Sequence, residues 1–315
     1  MRKFLLWGFV ALAIVLCVNV GAGLAEAEKT FYWISHGSEG DPIWIFALKG
    51  AEKAEEDLSI KLNSSFHHND VATHKEAFLG AIAAGADGIA TSMPEIGTLN
   101  EEIALAQSQG IPVVIFNTDD PGSGRDAYVG ANNIEVGRLW AQYLVDNGFV
   151  KEGDFVWMPV EVPGATYQTE ETKGIASVFD PLGIKYEIFD AKYDPAESIS
   201  NMTDYLTAHG DKVTAMIGLG DMVTGNTQRV FDAIGWEPGH IPVVGWGNSS
   251  ETANAIKDGY VNAAIWQYPG SIGYLPIALL QMASEGLPIG YNVITLAMYD
   301  KSNVEQYLAL TEQMK

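Results

Sequence analysis

Short apolar segments alternate with amphipathic segments along almost the whole chain, and this alternation limits the fold more than any other feature. In the first half, strand-like runs at residues 31–35, 60–66 and 88–92 flank stretches with helical spacing, such as residues 43–58. The second half repeats the pattern from residue 155 onward. Strands of this length that alternate with helices are typical of a parallel sheet with helices on both faces. The sequence therefore predicts an α/β protein.

Two similar lobes are expected rather than one. A chain of 315 residues exceeds what a single hydrophobic core normally serves. Residues 111–114 read Ile-Pro-Val-Val, follow a helix and a Gly turn, and lead to the polar Asn117. Residues 241–244 repeat the same four letters in the same context and lead to Asn248. A repeat at this separation predicts two related lobes.

The first residues predict a secretory signal that is cleaved. Arg2 and Lys3 precede an apolar run over residues 4–20, and small residues follow at the spacing that a signal peptidase needs. An anchoring transmembrane helix is the alternative, but no basic cluster follows the apolar run. Cys17, the single cysteine, follows Leu16 instead of a small residue, so lipidation is not expected. The mature chain would then have no disulfide and no thiol.

The strong negative charge argues against nucleic-acid partners. The formal net charge is −22, and removal of Arg2 and Lys3 with the signal makes the mature chain more acidic still. Such a chain repels phosphate backbones and anionic membranes. We interpret the charge as a means of keeping an exported protein soluble.

Residues that directly follow the predicted strands are candidates for a binding cleft, because ligands of open parallel sheets bind beyond the carboxyl ends of the strands. The set is rich in amides, hydroxyls and tryptophan, and it contains no evident nucleophile–base pair. It comprises Ser35, His36, Met93, Asn117, Thr118, Gly220, Asp221, Trp246, Asn248, Trp266 and Gln267. Amides both donate and accept hydrogen bonds, and aromatic rings stack on the C–H faces of sugars. The sequence therefore predicts a neutral polyhydroxyl ligand, although any single tryptophan can equally be part of the core.

From about residue 30 to its end, the chain resembles the periplasmic ribose- and galactose-type sugar-binding proteins of ABC transporters. The order and spacing of five segments carry the resemblance: Asp41-Pro42-Ile43-Trp44, residues 111–117, Val129-Gly130-Ala131-Asn132-Asn133 with Gly137, Val243-Val244-Gly245-Trp246, and residues 264–269. The resemblance implies the type I periplasmic binding protein fold, in which two Rossmann-like parallel-sheet lobes are joined by a three-strand hinge.

The same resemblance implies where the lobes begin and end. After a signal peptide at residues 1–25, the N-terminal lobe would comprise residues 28–130 plus 268–293, and the C-terminal lobe residues 132–266 plus 295–315. The three hinge crossings would lie near residues 130–132, 266–268 and 292–295. Ligand binding would close the cleft by hinge motion, and a permease would recognise the closed form.

Several ligand contacts are implied position by position. The resemblance implies that Trp44 packs on a sugar ring, and that the remaining contacts come from Asn117, Asn132, Gln168 or Thr169, Gly220, Asp221, Trp246, Gly247 and Gln267. A longer loop after the first strand adds His36. Asn117 and Thr118 replace an Asp-Arg pair that is common in the family, and Gly247 replaces an aspartate, for which Asn248 could substitute. These departures predict a less charged cavity and a modified ligand, such as a polyol or deoxy sugar.

Some residues of the sequence are also consistent with functions other than sugar binding. The same fold could bind a nucleoside, an autoinducer-type furanone, or a small cation in an aromatic cage with Asp41 or Asp221 as counter-charge. His67, His68, Asp70 and His74 form the one histidine cluster of the sequence and suggest a metal-binding protein as a distant alternative. The sequence contains no G-x-S-x-G or P-loop motif, so an enzyme is not expected.

The expected partners follow from this reading. They are a small sugar-like molecule, an ABC transporter permease and, as a further option, a chemoreceptor that reads the closed form. No cofactor, metal, nucleic acid or oligomeric partner is expected. A DNA-binding repressor of similar core fold is excluded, because it would begin with a basic helix-turn-helix where this chain has its signal peptide.

Overall fold

The computed structural model describes residues 28–93, 95–294 and 296–313. The predicted signal peptide, with Cys17, lies outside this part of the chain, and so does Thr295 in the third predicted hinge segment. Within the described residues, no helix has the length and apolar character needed to span a bilayer.

Six parallel strands form the first sheet. They are β1 (Thr30–Ser35), β2 (Lys61–Phe66), β3 (Gly88–Ser92), β4 (Val113–Phe116), β5 (Ala127–Gly130) and β11 (Tyr291–Val293), in the spatial order β11-β5-β4-β3-β1-β2. Four helices accompany this sheet: α1 (Pro42–Leu58), α2 (Val71–Ala83), α3 (Asn100–Ser108) and α10 (Pro269–Ser284).

The second sheet repeats this plan, with one antiparallel strand at its edge. Its strands are β6 (Phe155–Val160), β7 (Lys185–Asp190), β8 (Ala215–Gly218), β9 (Val243–Trp246), β10 (Ala263–Trp266) and β12 (Ala297–Asp300), in the order β12-β10-β9-β8-β6-β7. Only β12 runs antiparallel to its neighbour, β10, among these strands. Its helices are α4 (Asn133–Asp146), α5 (Thr166–Leu182), α6 (Pro195–His209), α7 (Asp221–Gly225), α8 (Thr227–Ile234), α9 (Ser250–Asp258) and α11 (Val304–Gln313).

The predicted α/β fold of two parallel-sheet lobes is confirmed. The chain leaves the first sheet after β5, returns to it after β10, and leaves it again after β11. Both lobes are therefore assembled from separate stretches of sequence. The residue-level lobe boundaries given above stay a prediction.

Differences from the predicted elements have local causes. The residue pattern predicts a helix over residues 97–109, but the helix begins only at Asn100, because Gly97 has a φ of 83°, which a right-handed helix cannot include. It also predicts a strand over residues 111–117, but that strand ends at Phe116, and Asn117 takes a φ of 65°. Both residues mark the end of regular structure on the edge of the first sheet where the strands have their carboxyl ends.

The central strands of each sheet are buried on both faces, as parallel sheets with helices on both sides require. In β4, Val114 and Phe116 belong to one apolar cluster, and Val113 and Ile115 belong to the cluster on the opposite face. This division follows from the two-residue period of a strand. The uninterrupted apolar run of β4 is thus explained by burial on two sides.

Glycines allow two helix pairs to approach until their backbones are in contact. In the pair α1–α10, a Cβ atom on Gly273 would lie 1.7 Å from the carbonyl oxygen of Ala47. In the pair α4–α5, a Cβ atom on Gly174 would lie 1.9 Å from the carbonyl oxygen of Ile134. Even one methyl group at either position would force the helices apart.

The substitution Gly273→Ala is expected to destabilise the protein by roughly 1–3 kcal/mol, because overpacking against a backbone atom cannot be relieved by a rotamer change. Gly80→Ala is the matched control, since Gly80 is exposed on α2 and a Cβ atom there meets no other atom within 4 Å. The control should gain roughly 0.5–1 kcal/mol from reduced backbone freedom. Urea unfolding of both variants measures the difference, and equal effects would contradict the close packing described here.

Candidate functional site

A cavity lies between the two lobes, at the carboxyl ends of strands from both sheets. Its volume open to water-sized molecules is about 80 Å³, and both lobes contribute to its wall. The lining consists of His36, Gly37, Asp41, Ile43, Trp44, Asn69, Asn117, Asn133, Glu161, Val162, Tyr167, Glu171, Tyr193, Leu219, Gly220, Asp221, Trp246 and Gln267. The small volume and the two-sided wall describe a closed cleft.

Half of the ligand contacts predicted from the sequence line this cavity. These residues are His36, Asp41, Trp44, Asn117, Asp221, Trp246 and Gln267. They lie at or just beyond the carboxyl ends of β1, β4, β8, β9 and β10, and Trp44 lies in the first turn of α1. The rule that ligands bind beyond the carboxyl ends of parallel strands therefore located this part of the wall.

Three other predicted contacts are taken up by the local structure of their own helices or loops. Asn132 is the N-cap of α4 and accepts a hydrogen bond from the Glu135 amide, so its neighbour Asn133 lines the cavity instead. Gln168 accepts from the Gly164 amide and donates to the Thr172 hydroxyl. The Thr169 hydroxyl donates to the Thr166 carbonyl.

Two predicted contacts belong to hydrophobic cores. Met93 is fully buried in the first lobe, where the Thr98 hydroxyl lies 3.6 Å from its sulfur. Trp266 packs against Tyr307 of α11, with ring centroids 5.8 Å apart. No local sequence pattern indicates this contact, because Tyr307 lies far along the chain from Trp266.

The remaining predicted residues, Asn248 and Thr118, do not line the cavity but form hydrogen bonds with residues that do. The Asn248 amide and side-chain Nδ2 both donate to the Asp221 carboxylate at 2.7 Å, and Asn248 Oδ1 accepts from the Gln267 amide at 2.9 Å. Asn117 Nδ2 lies 3.4 Å from Gln267 Oε1, and Thr118 donates to Asn117 Oδ1. This chain of hydrogen bonds runs from the second lobe, through the crossing at Gln267, to the first lobe.

Trp44 is held by the loop after β1. A Cβ atom on Gly37 would lie 2.3 Å from the indole ring, so only glycine allows the backbone to cover it this closely. The His36 ring packs edge-on against Trp44 at 4.8 Å. His36 itself is fixed by Ser92, whose hydroxyl lies 2.8 Å from its backbone nitrogen and 2.7 Å from its Nδ1. Burial lowers the pKa of His36 to about 4, so this ring is neutral near pH 7.

Trp246 is held by a buried carboxylate. Its Nε1 donates to Glu171 Oε1 at 2.9 Å, and its ring meets Trp140 edge-on at 5.1 Å. Glu171 is fully buried, and its Oε2 has no hydrogen-bond partner within the described part of the chain. A Cβ atom on Gly137 would lie 1.9 Å from the Glu171 carbonyl oxygen, so α4 presses directly on the turn that carries this side chain.

Glu161 caps a helix that the sequence did not predict. Its Oε1 accepts hydrogen bonds from the amides of Met222 and Val223, in the first turn of α7. A Cβ atom on Gly220 would lie 1.8 Å from Glu161 Oε2, so any side chain there would displace this carboxylate. The sequence predicts a single helix over residues 224–234, whereas the structure has two helices, α7 and α8, which are separated at Asn226. Helix α7 begins three residues earlier than predicted, where a distant carboxylate supplies the cap.

Four acidic side chains line the cavity: Asp41 and Asp221, which the sequence predicted, and Glu161 and Glu171, which it did not. Burial raises the pKa of Glu161 to about 7 and also raises the pKa of Glu171. Burial raises the pKa of Asp41, and repulsion from Asp221 and Glu161 of the second lobe raises it further. Burial also raises the pKa of Asp221. Among the described residues that line the cavity, none is Lys or Arg.

A direct contact joins the lobes at the mouth of the cavity. The Tyr193 hydroxyl, between β7 and α6, donates to the Ser38 hydroxyl of the loop after β1 at 2.9 Å. Both residues, together with Asp41, Glu161 and Met222, also border a second space of about 280 Å³ that adjoins the cavity. This contact holds the lobes in the closed arrangement.

Several residues of the wall were not predicted from the sequence: Asn69, Asn133, Glu161, Tyr167, Glu171 and Tyr193. Glu161 directly follows β6, so the strand-end rule applied to that strand would have found it. Glu171 lies inside α5 and Tyr193 lies in a loop beyond β7, and neither position has a local signal. Both reach the cavity only because the lobes face each other.

The histidine cluster lies beside the first lobe's cavity wall. His74 Nε2 lies 2.8 Å from the Thr91 hydroxyl, and its ring is 5.2 Å from that of His67. Within the residues that the structure describes, no group of three or more His, Cys, Asp or Glu side chains is arranged to hold a metal ion.

Comparisons with known proteins agree with this architecture. The family model described as periplasmic binding protein domain matches residues 31–288. The xylose/arabinose-binding protein XylF of Sulfolobus acidocaldarius is 26% identical over 260 residues, which are 76% of this chain but only 63% of that protein, just under two thirds of its length. The ribose import binding protein RbsB of Salmonella typhimurium is 21% identical over 266 residues, 83% of this chain and 86% of that protein.

A solved structure shares the fold. The carbohydrate transporter from Acidothermus cellulolyticus, crystallised with myo-inositol, superposes with a TM-score of 0.81 and 22% sequence identity. The superposition covers 91% of this chain and 99% of that one. Both lobes are therefore shared with that structure.

The substitution Glu161→Gln is expected to change how stability depends on pH. The folded state holds the Glu161 proton more tightly than the unfolded state, so this group costs stability as pH rises from its ordinary value of 4.5 through about 7. The cost at pH 8 is on the order of 3 kcal/mol. Glutamine keeps the oxygen that caps α7 and removes the charge.

Melting temperatures of the ligand-free protein between pH 5 and pH 8 test this expectation. The difference, variant minus wild type, should become more positive as pH rises, whereas Glu76→Gln, at an exposed carboxylate, should show no such trend. Comparing differences cancels the opposite contribution of His36, whose lowered pKa favours stability as pH rises. A constant difference would show that Glu161 is ionised in the folded state throughout this range.

Proposed function

The chain belongs to the periplasmic binding protein domain family, and from this premise we propose that it is the substrate-binding protein of an ABC importer. It captures a monosaccharide, polyol or related sugar-like ligand between its two lobes. The observation that carries this proposal is the enclosed cavity, whose amides, carboxylates and aromatic rings come from both lobes. Residues of both lobes can contact one ligand at the same time only when the cleft between the lobes is closed.

The chemistry of the wall supports a hydroxyl-rich ligand. Asn117 and Gln267 offer amides that can donate or accept, and the carboxylates accept from hydroxyl groups. Trp44 and Trp246 offer indole rings against which the C–H face of a sugar can pack. The names of the relatives, which refer to ribose and to xylose or arabinose, and the myo-inositol in the structural neighbour support the same ligand class.

The cellular setting follows from the same family. The protein acts in the periplasm, to which the predicted signal peptide directs it, and it delivers its ligand to the permease of the importer. It acts by binding, without catalysis, and a chemoreceptor that reads the closed form is an additional partner. A nucleoside or furanone in place of a sugar is an outcome that the ligand screen below distinguishes.

A ligand screen by thermal shift tests the proposal. A ligand at a hundredfold excess over its Kd stabilises the folded state by about 2.7 kcal/mol, which raises the melting temperature measurably. One or a few of the sugars and polyols tested should give this response. A response to nucleosides, furanones or divalent metals, with none to sugars or polyols, would overturn the ligand class.

The variant Asn117→Gly should weaken binding of the responding ligand about tenfold, because a lost hydrogen bond in a buried site costs roughly 1–3 kcal/mol. Glycine tolerates the positive φ of Asn117, so the backbone is preserved. Asn254→Ala, at an exposed amide on α9, is the matched control and should bind as the wild type does. Equal affinity of all three proteins would place the ligand away from Asn117.

The variant Tyr193→Phe tests closure. It removes the hydroxyl that joins Ser38 across the cavity mouth and keeps the ring, so affinity should fall about fivefold, a loss of roughly 1 kcal/mol. Most of the change should lie in the dissociation rate, measured by stopped-flow tryptophan fluorescence. Tyr186→Phe, which removes an exposed hydroxyl bonded to Asp180, should leave the rate unchanged. An unchanged rate in Tyr193→Phe would mean that this contact does not form in the bound state.

A further inference from the structure

Four acidic side chains line the cavity wall, and no positively charged side chain stands opposite them among the described lining residues. Asp41 comes from the first lobe, and Glu161, Glu171 and Asp221 come from the second. Neither Lys nor Arg occurs among the described residues that line the cavity, and burial keeps the His36 ring neutral near pH 7. Arg125 of the first lobe does not line the cavity and is paired with Asp119, because its guanidinium donates to both oxygens of that carboxylate.

The carboxylates differ in how many of their oxygen atoms accept hydrogen bonds from the protein. Both oxygens of Asp221 accept from Asn248, and Glu161 Oε1 accepts from two backbone amides. Glu171 differs, because Trp246 satisfies only its Oε1, and its fully buried Oε2 has no partner in the described part of the chain. Buried carboxylate oxygens normally have a donor, so Glu171 Oε2 is suited to a donor that the ligand brings.

Aromatic rings line the same cavity as these carboxylates. Trp44, Tyr167, Tyr193 and Trp246 all line the same cavity. The faces of such rings attract organic cations, most strongly when the site is shielded from water. Together, buried carboxylates and aromatic faces favour an ammonium group on an otherwise sugar-like molecule.

We propose that the cavity selects a hydroxylated ammonium ion, such as an amino sugar or an amino polyol, over the neutral sugar of the same shape. The inference rests on the proposed function, because it concerns the ligand of the same cavity. Glu171 Oε2 accepts a hydrogen bond from the ammonium group, whose charge offsets the carboxylates of both lobes. The hydroxyl groups of the ligand bind Asn117 and Gln267, as a neutral sugar would.

Matched pairs of ligands test this inference by isothermal titration calorimetry on the mature protein. The pairs are D-glucosamine with D-glucose, D-galactosamine with D-galactose, D-mannosamine with D-mannose, and D-glucamine with D-sorbitol. N-acetyl-D-glucosamine serves as an uncharged nitrogen-containing control. In at least one pair, the aminated member should bind at least tenfold more tightly than its neutral parent, and the acetylated control should lose this advantage.

The variant Glu171→Gln localises the effect. Glutamine keeps an oxygen for Trp246 and removes the charge, so the advantage of the aminated ligand should fall at least tenfold while binding of the neutral parent changes little. Glu170→Gln is the matched control, because it removes a neighbouring charge that does not line the cavity. Circular dichroism and melting temperature verify that both variants fold.

The outcomes separate this inference from the proposed function. Tighter binding of neutral sugars or polyols than of every aminated partner would overturn the ammonium inference and leave sugar binding intact. An advantage that persists in Glu171→Gln would overturn the role of Glu171. Binding of tetramethylammonium or choline, with no binding of any sugar, polyol or aminated sugar, would overturn the proposed sugar-like ligand and retain the preference for a cation. Silence of all these probes would overturn both.

Discussion

Parallel strand pairing brings the carboxyl ends of the strands in each sheet to one edge, and the cavity exists because two such edges face each other. The loops at these edges need few regular hydrogen bonds of their own, so they can hold His36, Asn117 or Gln267 in positions set by the strands beneath them. The hydrogen bonds from Asp221 through Asn248 to Gln267 then tie one edge to a chain crossing. The position of the binding site is thus set by the geometry of the two sheets, and the side chains of the loops at their edges supply its chemistry.

The buried carboxylates oppose the stability of the unliganded protein. Removing Glu161 and Glu171 from water disfavours their ionised forms, and the raised pKa values express this cost. Local hydrogen bonds offset part of it, such as those from the first turn of α7 to Glu161. Functional sites commonly contain residues that lower the stability of the folded state, because these residues are placed to bind a ligand. Glu161 and Glu171 fit this pattern.

The repeating α/β plan could be predicted from the sequence, because strands that are buried on both faces appear as unbroken apolar runs. The sequence also predicted much of the first lobe's wall, since Trp44 and Asn117 lie near strand ends in a recognisable order. It failed where local and distant contacts compete for a side chain: Asn132 caps α4, Trp266 packs on Tyr307, and Asn133 takes the predicted place of its neighbour. Glu171 could not be found, because its position depends on α4 pressing against α5 and on the second lobe facing the first.

The return of the chain to the first sheet also sets the order in which the protein can be completed during synthesis. Strand β5 lacks its outer neighbour, and α1 lacks the helix that covers it, until α10 and β11 have left the ribosome. By then the strands β6 to β10 of the second sheet are already available to pair. The N-terminal half must therefore wait, with apolar surface uncovered, for contacts of high sequence separation, which slow folding and prolong exposure to aggregation. A chaperone or export factor that holds the nascent chain would have its natural target in this unfinished first lobe.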